Sequence, residues 1–162
     1  MKQIIALFAV LLISSNIYAQ NEDVKGFQWG TLYRLEGYVG SFEHSAYASF
    51  GYRVDNQNYL GIQTGFIVGR PVGDLYYGIP LHGDYMHYYA IGEAKKHSLF
   101  TGVEVGGHFI KSTYSESYPA NSVDFYASLK AGLDFNIANV THLQVGLLVG
   151  YVHLGVSVGF TF

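Results

Sequence analysis

The chain has 162 residues, no cysteine and a net charge of −3 with histidine neutral; 13% of its residues are charged, 17% aromatic and 49% hydrophobic. Without cysteine, disulfides, thiolate metal sites and a lipidated N-terminal cysteine are excluded, and a mildly acidic chain with no basic run excludes nucleic acid as a partner. Soluble domains carry about 25% charged residues; so few charges beside 20 glycines, 15 tyrosines and 11 phenylalanines suit strands set in lipid with aromatic belts.

The N-terminus reads as an export signal. Lys2 supplies a positive start, Ile4 to Ile13 an apolar stretch, and Asn16-Ile17-Tyr18-Ala19-Gln20 a cleavage region. A membrane helix needs about 20 apolar residues, and this stretch is too short. The expected organisation is a signal peptide over residues 1–19, cut after Ala19, and one domain over residues 20–162.

Alternating segments with turn residues between them follow. The first strand is expected over about Thr31 to Gly40, with Tyr33, Leu35 and Val39 opposite Arg34, Glu36 and Tyr38. The second covers Ser45 to Val54, with Ala46, Ala48, Phe50 and Tyr52 against Tyr47, Ser49, Gly51 and Arg53. Asp55-Asn56-Gln57-Asn58 is a turn. The third, Tyr59 to Gly69, sets Leu60, Ile62, Phe66 and Val68 against Gly61, Gln63, Gly65 and Gly69.

After residues 70–74 the fourth strand is expected over Ile79 to Ile91. Its apolar phase (Ile79, Leu81, Tyr85, Tyr89) also sends His87 outward, which calls for a bulge near Gly83 or an interfacial depth for His87. Gly92 to Lys96 turns the chain into a fifth strand, Ser98 to Lys111, with Leu99, Val103, Val105 and Phe109 against Gly102, Glu104, Gly106 and His108. A polar loop, Ser112 to Ser122, precedes the sixth. There Val123, Phe125, Ala127, Leu129, Ala131, Leu133 and Phe135 alternate cleanly with Asp124, Tyr126, Ser128, Lys130, Gly132, Asp134 and Asn136. The turn Asn136 to Val140 leads to Thr141–Tyr151, with Leu143, Val145, Leu147 and Val149 on one face. The last strand, His153 to Phe162, places Leu154, Val156, Val158, Phe160 and Phe162 against His153, Gly155, Ser157, Gly159 and Thr161.

The segments number eight, and most approach the roughly 9–11 residues a tilted membrane strand needs. The fold class predicted is all-β: an eight-stranded antiparallel up-and-down transmembrane β-barrel, closed because an open edge in hydrocarbon leaves backbone groups unpaired. With both termini periplasmic, the connections at about 70–78 and 112–122 face outside and are the longest. An eight-stranded interior has room only for side chains. The inward charges Arg34, Glu36, Arg53, Glu104, Asp124, Lys130 and Asp134 are therefore expected to neutralise one another in a polar plug, the alternative being an ion path. Inward glycines leave room for bulky neighbours such as Tyr38 and Tyr126. Tyr76, Tyr77, Tyr114 and Tyr118 lie in or near the long loops, as contact residues or as part of the outer aromatic belt.

No catalytic residue is assigned. None of the seven histidines has a serine two residues away, the spacing that would put base and hydroxyl on one strand face. His82 and Asp84 share a face and are read as plug members. His108 and His153 point inward near the outer rim, but no third ligand can be named, so no metal is expected, and no cofactor. Phosphate-loop, G-x-S-x-G and H-E-x-x-H motifs do not occur.

The alternating strand ending in Gly159-Phe160-Thr161-Phe162, the Ile79-Pro80-Leu81 strand opening and the Gly92–Lys96 turn resemble those of bacterial outer-membrane β-barrels, close in architecture to small OmpA/OmpX-type barrels. The resemblance implies that Phe160 and Phe162 form the C-terminal signal read by the barrel-assembly machinery, and that outer-membrane lipids and lipopolysaccharide surround the chain. It carries no specific activity. The expected role is a non-enzymatic outer-membrane protein, structural or adhesive, acting through its external loops. The alternatives are a lipid-A-modifying enzyme and a soluble lipocalin-like barrel with the oily face inside.

Overall fold

The computed structural model describes residues 25–38, 41–71, 75–91, 97–112, 121–138 and 141–162. Eight strands follow one another: β1 (Gly26–Tyr38), β2 (Ser41–Arg53), β3 (Asn58–Pro71), β4 (Tyr76–Ile91), β5 (His97–Ser112), β6 (Asn121–Ala138), β7 (Thr141–Gly150) and β8 (His153–Thr161). Each pairs antiparallel with its neighbours, and β8 pairs with β1 to close the barrel. Closure extends to the last residue. Phe162 and Trp29 exchange backbone hydrogen bonds of 2.8 and 3.1 Å, and their rings stack at 4.5 Å.

The register contains the stagger that a barrel of tilted strands requires. From Glu36, the row of paired residues runs through Glu43, Gly69 and Tyr76 to Ser112 on β5. In the other direction it runs through Gly155, Leu148 and Lys130 to Gly102 on the same strand.

The faces fall as the alternation predicts. Leu60, Ile62, Ile79, Val105, Leu129, Leu147 and Val156 are all about half exposed on the outside. Arg34, Glu36, Gln63, His82, Asp84 and Glu104 are buried inside. An apolar band this wide around a closed barrel needs lipid to cover it; the inverted, lipocalin-like orientation is not the one adopted. Inward glycines make the space for the large side chains within. A Cβ on Gly51 would lie 2.5 Å from the Tyr59 ring, and one on Gly132 2.6 Å from Phe100 Cζ. The rings they accommodate include Tyr59, Tyr76, Phe100 and His153.

Most strands run longer than the sequence suggested. β1 starts at Gly26, five residues before the expected Thr31, and β2 at Ser41 rather than Ser45. The expected loop at 70–78 shrinks to residues 72–75, because β3 continues to Pro71 and β4 begins at Tyr76. Among the connections facing away from the termini, only that between Ser112 and Asn121 is long. The β3–β4 pairing runs without a bulge. His87 does face outward, near the termini end, where its Nδ1 lies 2.9 Å from Asn58 Oδ1. An irregularity appears instead in β6, between Asn136 and Ala138. Val39, the Gly92–Lys96 turn and the signal peptide lie outside the described residues.

The β2–β3 turn closes on Asp55. Its carboxylate accepts hydrogen bonds from the Asn58 side chain at 2.8 and 3.0 Å and from the backbone N–H groups of Gln57 and Asn58 at 2.7 Å. The Asn58 side chain first, then the Gln57 N–H, hold the Asp55 carboxyl below its ordinary value. A depressed folded-state pKa stabilises the turn above the unfolded value of about 3.9 and loses that contribution as pH falls through the folded value. Asp55→Ala is therefore expected to lower the urea midpoint at neutral pH, with the gap to wild type closing as pH falls through the folded-state value. A gap constant with pH would contradict this role.

Candidate binding vestibule and the interior beneath it

Three layers of inward side chains fill the barrel. In the middle, Glu104 on β5 and Asp84 on β4 are directly opposite in the register, a like-charge pair that destabilises a sheet if left alone. Two cations hold it. Arg34 Nη2 reaches Glu104 Oε1 at 2.6 Å, and Lys130 Nζ reaches Asp84 Oδ1 at 2.5 Å and Glu104 Oε1 at 3.0 Å. Gln63 ties them together: its carbonyl accepts from Arg34 at 2.5 Å, and its amide donates to Asp84 at 2.6 Å and Glu104 at 3.1 Å. The Arg34 guanidinium also lies over the Tyr47 ring, 4.3 Å from its centroid. All four charges are buried with their counter-ions, the arrangement that offsets the cost of desolvation.

Toward the termini the filling becomes apolar. Tyr59, Met86, Tyr88 and Phe100 form one buried cluster. Arg53 sits over the Tyr88 ring at 4.0 Å and donates to the Asn56 carbonyl at 3.3 Å. Asp134 accepts from Gln144 at 3.1 Å and pairs with His142 at 2.6 Å. Arg53 and Asp134 are thus buried near the termini end, away from the central four charges.

Above the centre lies an aromatic layer. Tyr126 stacks on His82, His108 and His153, with ring centroids 4.2, 4.7 and 4.8 Å away. His82 Nε2 and His108 Nε2 are 3.0 Å apart, a distance that requires one ring to donate and the other to accept. Glu36, fully buried, accepts from Tyr126 at 3.3 Å and Tyr38 at 3.4 Å, and lies 3.3 Å from His153 Nε2. Among the described residues no group of three or more metal-ligating side chains gathers.

At the end opposite the termini the interior opens into a vestibule of about 920 Å³. Tyr38, Glu43, Tyr76, Asp124, Tyr126 and His153 are among the residues that line it. Glu43 is 1% exposed. Its Oε2 accepts from Tyr76 at 2.9 Å and lies 3.9 Å from His108 Nδ1.

Several expected positions change in this light. Asp124 is exposed at the vestibule rim, so it stands apart from the central charges. Tyr76 is on β4, not in a loop, and points inward at Glu43. Tyr77 faces outward and stacks on Phe66 at 6.5 Å, as a belt residue does. Tyr114 and Tyr118 lie outside the described residues. Phe160 faces outward, while Phe162 stacks on Trp29. Glu43 precedes the expected start of the second strand at Ser45; the inward alternation of Ser45 and Tyr47 extends back through Glu43 to Ser41, where β2 begins. Gln63 was placed inward, but its bridging role needs the cross-strand register.

No protein-family model matches the chain, and no curated protein matches it by sequence. Solved structures do. Neisserial surface protein A is 12% identical, with a TM-score of 0.61 over 85% of this chain and 95% of that one. The N-terminal β-barrel domain of Pseudomonas aeruginosa OprF is 15% identical, with a TM-score of 0.55 over 85% and 99%. Ail, the attachment invasion locus protein of Yersinia pestis, is 12% identical, with a TM-score of 0.51 over 85% and 97%. At these identities the likeness is one of fold. The fold is that of the small eight-stranded transmembrane β-barrels of the bacterial outer membrane.

Proposed function

We infer that this chain is a non-enzymatic outer-membrane protein that binds a partner at its outer end and does not conduct. The observation that carries the reading is the contrast between the two ends of the interior. The centre and the termini end are packed with matched charges and buried rings, whereas the outer end holds an open vestibule. A small barrel spends its interior on side chains, so recognition falls to the outer end and the connection at 113–120. The names of two proteins of like fold, a surface protein and an attachment invasion locus protein, support a surface-binding role.

On this reading the signal over residues 1–19 is removed on export. Lipopolysaccharide and lipid then surround the apolar band, and the assembly machinery reads Phe160 and Phe162. Purified protein reconstituted in a planar bilayer is expected to give no steady open-channel steps under voltage. Stable porin-like conductance would contradict the reading, and so would a lipid A mass spectrum that changes with the gene.

A further inference from the structure

The charge balance inside the barrel is uneven along its axis. Arg34 and Lys130 are matched by Glu104 and Asp84 in the centre. Toward the vestibule come Glu36, which shares Arg34 at 4.0 Å, and then Glu43 and Asp124, and no lysine or arginine is among the described residues lining that space. The cations at this end, Arg70 and Lys111, are exposed on strand faces that point away from it, opposite Phe42 and Tyr77 in the register. Glu43 provides an independent sign of an incomplete site. It is 1% exposed, Tyr76 satisfies Oε2, and Oε1 is buried with no hydrogen-bond partner. A buried carboxylate oxygen left in that state is costly unless a donor arrives from outside the chain.

The walls narrow the chemistry of that donor. Tyr38, Tyr76 and Tyr151 line the vestibule, and tyrosine faces attract cations electrostatically. Ile110 and Val152 add apolar surface, which suits an aliphatic stem. The volume falls in the range of sites for small organic ligands, about 300–1,000 Å³. A bare metal ion would find no cluster of three ligating side chains among the described residues. An anion would meet carboxylates.

We propose that the vestibule binds an organic cation, a protonated amine or guanidinium on an aliphatic stem, with Glu43 and Asp124 as its counter-ions and the tyrosines as its walls. The ligand is a free polyamine or the basic side chain of a peptide; both present the same head group. This deepens the surface-binding reading and rests on it.

Titration of the protein in detergent micelles with spermidine and, separately, with argininamide, followed by calorimetry and tyrosine fluorescence, tests the proposal. Saturable binding of either probe is expected, and the probe that binds tells the two sources apart. Glu43→Gln with Asp124→Asn should weaken binding by about tenfold or more, since charge-assisted hydrogen bonds to an ionised acceptor are lost. Asp124→Asn alone, at an exposed rim position, should weaken it by a smaller factor and guards against a folding defect at Glu43. Absence of binding by both probes would overturn the proposal. The same holds for binding undiminished in both variants and for binding of calcium alone. Conductance is measured independently, so a sealed barrel that ignores both probes would end this proposal and leave the non-conducting reading standing.

Discussion

Glu104→Ala is expected to destabilise the barrel by about 3–5 kcal/mol, the range for breaking a buried ion pair from one side. Glu104 is fully buried, 2.6 Å from Arg34 and 3.0 Å from Lys130, and it also accepts from Gln63 at 3.1 Å. Truncation leaves the two buried cations with Asp84 beside Lys130 at 2.5 Å and Glu36 4.0 Å from Arg34 as the remaining carboxylates. The cost should fall in the double variant Glu104→Gln with Lys130→Met, which removes one charge of each sign and leaves Arg34 and Asp84 bridged by Gln63. Urea unfolding in lipid vesicles, read by the mobility difference between boiled and unboiled samples, measures both. A loss below about 1 kcal/mol, typical of solvated ion pairs, would mean that water reaches the centre, and the sealed interior would be wrong.

The second large effect concerns the outside. Leu147 is 59% exposed on β7, flanked by Ala131 and Val156 on the neighbouring strands. Leu147→Arg is expected to cost about 2–4 kcal/mol, as a charge does deep in the apolar band of a membrane barrel. Phe42, near the outer end of β2, is 65% exposed and sits beside Arg70 in the register. Phe42→Arg should cost about 0–1 kcal/mol, as substitutions near the interface do. In water both positions would accept arginine equally well. The difference between the two variants, measured by the same unfolding assay, therefore reports the surrounding solvent rather than the fold.

The strands and their faces were legible because lipid imposes a strict rule. Each outward residue such as Leu129 or Val156 must be apolar, and each inward neighbour must fit a narrow interior, so a period of two survives along the whole span. At the strand ends that rule relaxes. Tyr76 to Gly78 fall in the expected loop at 70–78, and Gly26 to Gly30 and Ser41 to His44 precede the expected strand starts, although all three stretches pair in the sheet. Asp124 was misplaced for the same reason: it continues the inward phase of β6 but lies beyond the packed interior. Depth along the barrel, not phase, decides whether a charge is buried.

The pairing of charges was less legible than their location. Arg34, Glu104 and Lys130 could each be put inside from alternation. That Arg34 meets Glu104 across the interior depends on the barrel's stagger, which no single strand contains. The same holds for Tyr126 among three histidines, drawn from β4, β5 and β8, and for Glu43 opposite Tyr76. Residues from strands distant in sequence become a site only once the register is known.

The chain has no cysteine, so single cysteines can be introduced and spin-labelled without background. The most direct measurement compares Leu129→Cys with Ser128→Cys in lipid vesicles, neighbours on β6 that face opposite ways. The orientation described here predicts strong relaxation of the Leu129 label by oxygen dissolved in the acyl chains and little from a water-soluble nickel complex, with the Ser128 label shielded from both. A Leu129 label relaxed mainly by the aqueous reagent would contradict it.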